Sequence, residues 1–242
     1  MQCWKNDSGK ARIKRHLYRE MNKKVALVTG ASRGIGSAIT KRLRDAGINV
    51  LTPPRQELDL RSHNSIDSYL DSLKPPVDIL INNAGINIPS LCTDLTDDAV
   101  NQTLQVNLLA PLRLICGIAP QMIERKFGRI VNISSIWGAI TKPGRVTYSM
   151  SKAGLNALTR TLAVELASHN VLVNAVAPGY VNTELTKQNN TEREINAIKK
   201  SIPMRRLAEP FEIAEVVAFL ASDKNTYLTG QIIIVDGGFT CL

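Results

Sequence analysis

Cysteine is scarce and scattered. The 242-residue chain has four, Cys3, Cys92, Cys116 and Cys241, with no Cys-x-x-Cys pair. That spacing excludes a disulfide framework, offers no metal site and fits a reducing, cytoplasmic compartment. Each cysteine reads as a small buried hydrophobe. No apolar run approaches the roughly 20 residues that cross a bilayer, so no membrane association is expected. Internal repeats and domain-scale linkers are also missing. What is present, at 44% hydrophobic residues, is material for a single soluble α/β domain.

The formal net charge of +9 is unevenly spread. Residues 1–24 hold eight Lys/Arg and two Asp/Glu, leaving 22 basic and 19 acidic residues for the rest. The basicity therefore belongs mainly to an N-terminal extension, residues 1–22, outside a core domain of residues 23–242. The extension lacks the apolar stretch of a secretory signal. Asp7, Glu20 and weak amphipathicity argue against a mitochondrial presequence, and Met21 is a candidate alternative start. Short basic tails are as a rule solvated, so no nucleic-acid partner is expected.

Val25–Val28 is a short apolar run, as in a strand buried on both faces. Ile35, Ala38, Ile39, Leu43 and Ala46 then recur at helical spacing. The turn between holds Gly30, Gly34 and Gly36, which permit unusual backbone angles and close approach of a ligand. A helix N-terminus there suits a pyrophosphate. The spacing is Gly-x-x-x-Gly-x-Gly rather than the general Gly-x-Gly-x-x-Gly fingerprint, and such a turn also serves tight packing alone. The second strand, Ile48–Leu51, ends in Thr52-Pro53-Pro54-Arg55. No acid stands there to bind a ribose hydroxyl, whereas Arg33 and Arg55 suit a 2′-phosphate. The expected cofactor is NADP (NADPH), ahead of NAD.

Only three residues separate Arg55 from Asp59-Leu60, too few for a crossover helix, which takes a dozen or more. The fold expected is a doubly wound parallel sheet with the helix between strands 2 and 3 shortened or absent. An amphipathic helix over Ile66–Leu73, a strand Val77–Ile81 and the small-residue segment Asn82-Asn83-Ala84-Gly85 follow. In the long helix from about Thr96 to Lys126, Pro111 has no N–H for the carbonyl of Asn107, so a kink or bulge is expected there. Strand Arg129–Ile133 ends in Ser134-Ser135. A helix from Tyr148 to about Ser168 puts Tyr148 and Lys152 on one face. Strand Val171–Ala177 stops at Pro178-Gly179. Residues 183–201 read as a mobile polar flap, Pro210 opens a helix, and Gln231–Val235 is the last strand. The substrate pocket is expected from Ile88–Thr93, Trp137–Tyr148 and the flap.

The segments TGASRGIG (29–36), NNAG (82–85), Asn107, Ser135 with Tyr148-Ser-Met-Ser-Lys152, and PGYVNT (178–183) stand in the order and spacing of the short-chain dehydrogenase/reductase family. The chain resembles that family from about Lys24 to Gly238. IPMRRLAEPFEIAEVVAFLAS and VDGG resemble its 3-oxoacyl-[acyl-carrier-protein] reductase branch. Two features depart from the pattern: the helix missing after Arg55, and His169 where acyl-carrier reductases often have a basic residue, which leaves a carrier-protein partner open.

The resemblance implies a Rossmann-type fold and an NADP(H)-dependent enzyme. It would pass a hydride between nicotinamide and a carbonyl or secondary-alcohol substrate, a 3-oxoacyl thioester being one candidate. It implies a catalytic set of Asn107, Ser135, Tyr148 and Lys152; a spacing of thirteen residues selects Ser135 over Ser134. Tyr148 is the proton donor, Ser135 an oxyanion partner, and Lys152 lowers the tyrosine pKa and holds the nicotinamide ribose. Asn107 keeps a water in the proton chain. The cofactor residues implied are Gly30, Ser32, Arg33, Gly34, Ile35, Gly36, Arg55, Asp59, Leu60, Asn83, Ala84, Gly85, Tyr148, Lys152, Pro178, Gly179, Val181 and Thr183. A homotetramer or homodimer is implied, with Leu155, Leu158, Leu162 and Leu166 as a helical stripe on one pairing helix, some of them facing the sheet. Two other readings stay open: a nonenzymatic dinucleotide-binding sensor or scaffold, and an NAD-dependent sugar or alcohol dehydrogenase.

Overall fold

The computed structural model describes residues 24–242. The basic extension of residues 1–22 lies outside the described residues. Six strands, β1 (Val25–Val28), β2 (Asn49–Leu51), β3 (Ile79–Asn82), β4 (Gly128–Ile133), β5 (Val171–Pro178) and β6 (Ile232–Val235), form one sheet in the order β2-β1-β3-β4-β5-β6. Every pairing is parallel, with Ala26 opposite both Val50 and Ile79, and Val131 opposite both Ile81 and Asn174. The strand order reverses between β1 and β3. In open α/β sheets a ligand crevice lies beyond the carboxyl ends of the strands at that point.

Helices cover both faces. The central strands β1, β3, β4 and β5 are buried on both sides, and alternate residues feed two separate cores. Ala26, Val28, Ile79, Ile81 and Val131 pack with Ile39 and Leu43 of α1 (Gly34–Asp45) and with Ile213, Val217 and Leu220 of α8 (Pro210–Ala221). Leu27, Leu80 and Ile130 point the other way. They meet Ile66 of α2 (His63–Ser72), Leu114, Ile118 and Met122 of α4 (Ala110–Glu124), and Ala163 of α5 (Val146–Leu166). Pro210 occupies the first turn of α8, and Gly47 follows α1 at φ +82°, as their sequence positions predict.

Residues 53–60 contain no helix; they form a turn in which Glu57 and Leu58 donate to the carbonyl of Pro54. Asp59-Leu60 joins no strand, because too few residues intervene for a crossover. The ten-residue α2 therefore makes the connection from β2 to β3. The long helix is interrupted where Pro111 predicts: α3 (Asp97–Leu104) passes through a π-helical turn, Gln105–Leu109, into α4.

Four expectations change. The composite helix Asp97–Glu124 is 28 residues long and, by length and composition alone, apolar enough to cross a membrane. Its apolar residues Leu114, Ile115, Ile118 and Met122 are buried against the sheet. Cys92, Cys116 and Cys241 are exposed free thiols rather than core residues. The leucine stripe of α5 turns inward: Leu155 and Leu166 are buried, and Leu158 and Leu162 pack on the core. The polar flap holds two helices, α6 (Glu184–Gln188) and α7 (Glu192–Ser201), the second opened by a Thr191–Glu194 capping box.

Gly36 fixes the start of α1 against β1. A Cβ there would lie 2.2 Å from the carbonyl oxygen of Gly30 and 2.4 Å from Asn83 Nδ2, so the turn must move to admit one. Gly36→Ala is expected to destabilise the fold by about 1–3 kcal/mol. At roughly 2–4 °C per kcal/mol for a chain of this size, thermal unfolding followed by circular dichroism should show the loss. A wild-type melting temperature would contradict this packing.

Candidate active site

Most of the sequence-predicted residues gather at the carboxyl ends of β1, β3, β4 and β5, and Arg55, Asp59 and Leu60 follow β2. Thr29 is the hub between the first two. Its hydroxyl accepts the backbone N–H groups of Asn83 (3.0 Å) and Ala84 (3.1 Å), and Asn83 Nδ2 donates back to the carbonyls of Thr29 and Gly30. The NNAG segment is thereby clamped onto the glycine turn. Gly30 and Gly34 have φ of +64° and +55°, which bend the chain into a shallow cradle ahead of α1. Arg33 precedes α1 without any side-chain cap, and no acid stands in its first turn. The first N–H groups of α1, at Gly34, Ile35 and Gly36, with Ser32 beside them, thus suit a pyrophosphate by backbone chemistry alone.

The segment after β5 closes the other side. Gly179 donates to the carbonyl of Val235, Val181 is buried, and Thr183 Cγ2 would lie 3.3 Å from a Cβ on Gly34. Pro178 is the last residue of β5, and of the segment that follows Thr183 is the residue that reaches the glycine turn. Of the two arginines assigned to a phosphate, Arg33 donates to Glu184 Oε2 at 2.7 Å, at the start of α6. Arg55 is exposed in the turn after β2. Asp59 is engaged by Arg61, Nε to Oδ1 2.9 Å, and that hydrogen bond holds its carboxyl down at about 2. Leu60 accepts from Gln105 Nε2 at 3.0 Å, tying this edge to the π-helical turn.

Asn107 is buried at the centre of that turn. Its Oδ1 accepts from Ile86 N (2.8 Å), and its Nδ2 donates to Ile86 O (2.8 Å) and Ser151 Oγ (3.1 Å). The side chain thus mimics a strand partner for the loop after NNAG. The expected water-holding role rests on the backbone carbonyl; the side chain has this second task, which the Pro111 signal does not foretell. Around Gly85 the parts converge: a Cβ there would stand 3.3 Å from Asn107 Oδ1 and 3.6 Å from Lys152 Nζ.

Tyr148 and Lys152 lie one turn apart on α5, and the ammonium sits 5.6 Å from the centre of the phenol ring. Lys152 is buried and donates to the carbonyl of Ile133 at the end of β4 (2.8 Å). The two serines divide. Ser134 donates inward to Asn156 Oδ1 (2.6 Å), whereas Ser135 accepts from Trp137 N (3.2 Å) and neighbours Tyr148. Trp137, Tyr180 and Phe239 pack edge to face with centroids 5.6–6.5 Å apart, and Lys142 lies over the first two. A second wall is joined to the first where Ser90 N donates to Gly144 O, beside a Ser90–Arg145 bridge. Arg145 falls within the Trp137–Tyr148 stretch expected to line the pocket, but the sequence reading assigns it no role of its own; in the structure it is buried and its charge acts on Tyr148. A cation three residues before the tyrosine was its only signal.

The electrostatics differ from the sequence expectation in one respect. Burial pushes the Tyr148 phenol above its ordinary range, and Ser135 and Arg145 pull it only part of the way back. Lys152 does not dominate that balance in the free protein. It is itself pushed down by burial, from 10.5 to about 8. Between those two values the unfolded chain holds a proton that the folded chain has released. Stability attributable to Lys152 therefore rises with pH across that window. In urea unfolding, the stability of wild type relative to Lys152→Met should grow by on the order of 3 kcal/mol between pH 7 and 11. A difference flat in pH would show that the ammonium is not desolvated.

The comparisons with known proteins agree with this arrangement. A family model described as enoyl-(acyl carrier protein) reductase matches residues 54–240. The 3-oxoacyl-[acyl-carrier-protein] reductase FabG of Rickettsia felis is 37% identical over 236 residues, covering 90% of this chain and 98% of the relative. The oxidoreductase UcpA of Escherichia coli is 36% identical over 248 residues, covering 90% and 94%. Among solved structures, 4-hydroxyisoleucine dehydrogenase complexed with NADH superposes with a TM-score of 0.85 at 31% identity, covering 91% of this chain and all of that one. A mutant of it complexed with NADH and succinate gives 0.85 at 31%, covering 90% and 99%. With the glycine turn, the Asn107 peg and the Ser135–Tyr148–Lys152 group in one crevice, the chain belongs to the short-chain dehydrogenase/reductase family of oxidoreductases, which bind a nicotinamide dinucleotide.

Proposed function

We propose that this protein is an NADP(H)-dependent carbonyl reductase or alcohol dehydrogenase, and that Asn107, Ser135, Tyr148 and Lys152 are its catalytic residues. The observation that carries the reading is the meeting of Tyr148, Lys152, Asn107 and Gly85 at the switch point, beside the uncapped start of α1. The cofactor, when bound, supplies the hydride for the carbonyl carbon or accepts it from the alcohol. Gly30, Ser32, Gly34, Ile35 and Gly36 would cradle its pyrophosphate, Asp59 and Leu60 its adenine end, and Asn83, Ala84, Gly85, Pro178, Gly179, Val181 and Thr183 its nicotinamide half. Tyr148 Oη gives its proton to the substrate oxygen as negative charge develops there. Ser135 Oγ donates a hydrogen bond to the same oxygen. Lys152 holds a ribose hydroxyl and favours the phenolate left behind. An oxidised nicotinamide, if bound there, would add its positive charge to the field of Lys152.

The 37% identity to 3-oxoacyl-[acyl-carrier-protein] reductases supports a 3-oxoacyl thioester as one substrate class, with an acyl carrier protein as a partner to be tested. The NADH complexes of the hydroxyisoleucine dehydrogenase favour a second reading, an NAD-dependent dehydrogenase. The exposed thiols fit a cytoplasmic setting. We place no weight on a nonenzymatic sensor, which has no need of a proton donor. A homotetramer or homodimer would use the exposed Val146, Met150 and Val164 of α5 rather than its inward leucines.

Arg33 and Arg55 support the NADP choice. Exchanging Arg55 for aspartate should raise the KM for NADPH roughly tenfold or more, the worth of a lost charge-assisted hydrogen bond, and leave that for NADH nearly unchanged. An unaltered NADPH/NADH preference would reassign the phosphate site. For the chemistry, Tyr148→Phe keeps the ring and removes the hydroxyl. NADPH affinity, read by fluorescence titration, should hold, while ketone reduction, read by NADPH absorbance across a ketone panel, should fall by roughly 10²–10⁴-fold. Wild-type turnover in that variant would overturn the catalytic assignment.

A further inference from the structure

Arg145 is costly where it stands. It is the N-cap of α5, with φ −121° and ψ 13°, and its side chain makes no capping bond. It is 7% exposed, and its Nη1 is fully buried without a hydrogen-bond partner. Among the described residues no carboxylate pairs with it. A guanidinium brings five donors that need acceptors, and a buried, unpaired charge is strongly unfavourable. The location adds to the cost, because the N-terminus of a 21-residue helix stabilises anions and repels cations. Arg129 shows how a buried arginine in this fold is otherwise accommodated. Its Nη1 and Nη2 donate to the carbonyls of Gly128, Asn170 and Asn225 and it lies over the ring of Phe127, which leaves only Nε without a partner, whereas Arg145 has no such set of carbonyls.

The position of Arg145 gives the cost a use. N-cap and N3 residues face one another across the first turn of a helix, and the N3 residue of α5 is Tyr148. On its other side the Arg145 backbone pairs with Ser90 in the loop that Asn107 pegs at Ile86. The same two segments hold two more buried polar atoms without partners, Thr147 Oγ1 and Asn87 Oδ1. Local rules broken together, beside a proton donor, mark a place completed by a ligand. We propose that Arg145 is a specificity-determining residue: with the first-turn N–H groups of α5 it takes a carboxylate carried by the substrate, making short oxo acids and hydroxy acids the substrate class. This rests on the oxidoreductase reading above and sharpens it. A neutral thioester would leave the guanidinium unpaired, whereas a carboxylate matches its two-pronged geometry.

The test uses matched pairs on the full-length protein loaded with NADP⁺: lactate, 3-hydroxybutyrate and malate, each against its methyl ester, titrated calorimetrically. At least one acid should bind about ten- to a hundredfold tighter than its ester, the range of one charge-assisted contact. Arg145→Gln should bring that acid down to its ester, and Arg145→Lys should keep part of the advantage. Equal binding of acid and ester in every pair, no acid bound at all, or an advantage that survives in Arg145→Gln would overturn the proposal. If Arg145→Gln does not fold, the wild-type ratio decides alone. Turnover measured in parallel separates the two levels. Acids held through Arg145 with no alcohol or ketone turned over would keep the anion site and remove the oxidoreductase reading. Tyr148-dependent turnover with equal rates for acids and esters would do the reverse.

Discussion

The site depends on one buried ammonium. Lys152 enters the interior from α5, and the carbonyl of Ile133 is the acceptor that meets it. That carbonyl is available because β4 ends there and the chain turns away through Ser134 and Ser135. Strand length, serine placement and the lysine's reach are therefore one arrangement. Ser134 turns in to Asn156 and leaves Ser135 to face the crevice. Burial that lowers the lysine's affinity for protons also raises the tyrosine's. The pair is drawn toward neutrality, which is the condition under which a small added charge nearby moves a proton.

The sheet explains why these groups meet. Six parallel strands bring all their carboxyl ends to one edge, and the switch between β1 and β3 opens a crevice there. Thr29 and Asn83 bind the two central loops to each other by four hydrogen bonds, none of which involves a charge. The floor of the crevice is thereby fixed by neutral groups. Charges sit on its walls: Arg33 with Glu184, Asp59 with Arg61, and Lys142 over two aromatic rings.

Much of this was legible in the sequence where a residue type forces the backbone. Pro111 predicts the break at Asn107, Gly47 the end of α1, Pro210 the start of α8, and the short Arg55–Asp59 gap the helix-free turn between β2 and the short α2. What escaped depends on partners distant in the chain. The leucines of α5 have helical spacing whichever way they face, and only the sheet packed beneath shows that they face inward. The flap is polar, yet Thr191 and Glu194 stabilise its second helix locally, a capping signal that the sequence reading passed over. Apolar content alone could not say whether Asp97–Glu124 lies in lipid or against a sheet. The rise in the Tyr148 pKa is a sum over everything packed around it, and no spacing of lysine and tyrosine reveals the desolvation.

The π-helical turn has a consequence for how this site can vary. It adds one residue to the winding of an otherwise α-helical rod, so the faces before and after it are offset by about 100°. Asn107 reaches Ile86 because of that offset. The arrangement is written in a count as well as in a composition: deleting one residue of the turn other than Asn107 would let α3 and α4 join as a regular helix and would swing the amide away from the loop it holds. Substitutions can test the site one side chain at a time; insertions and deletions in this turn would retune it as a rotation.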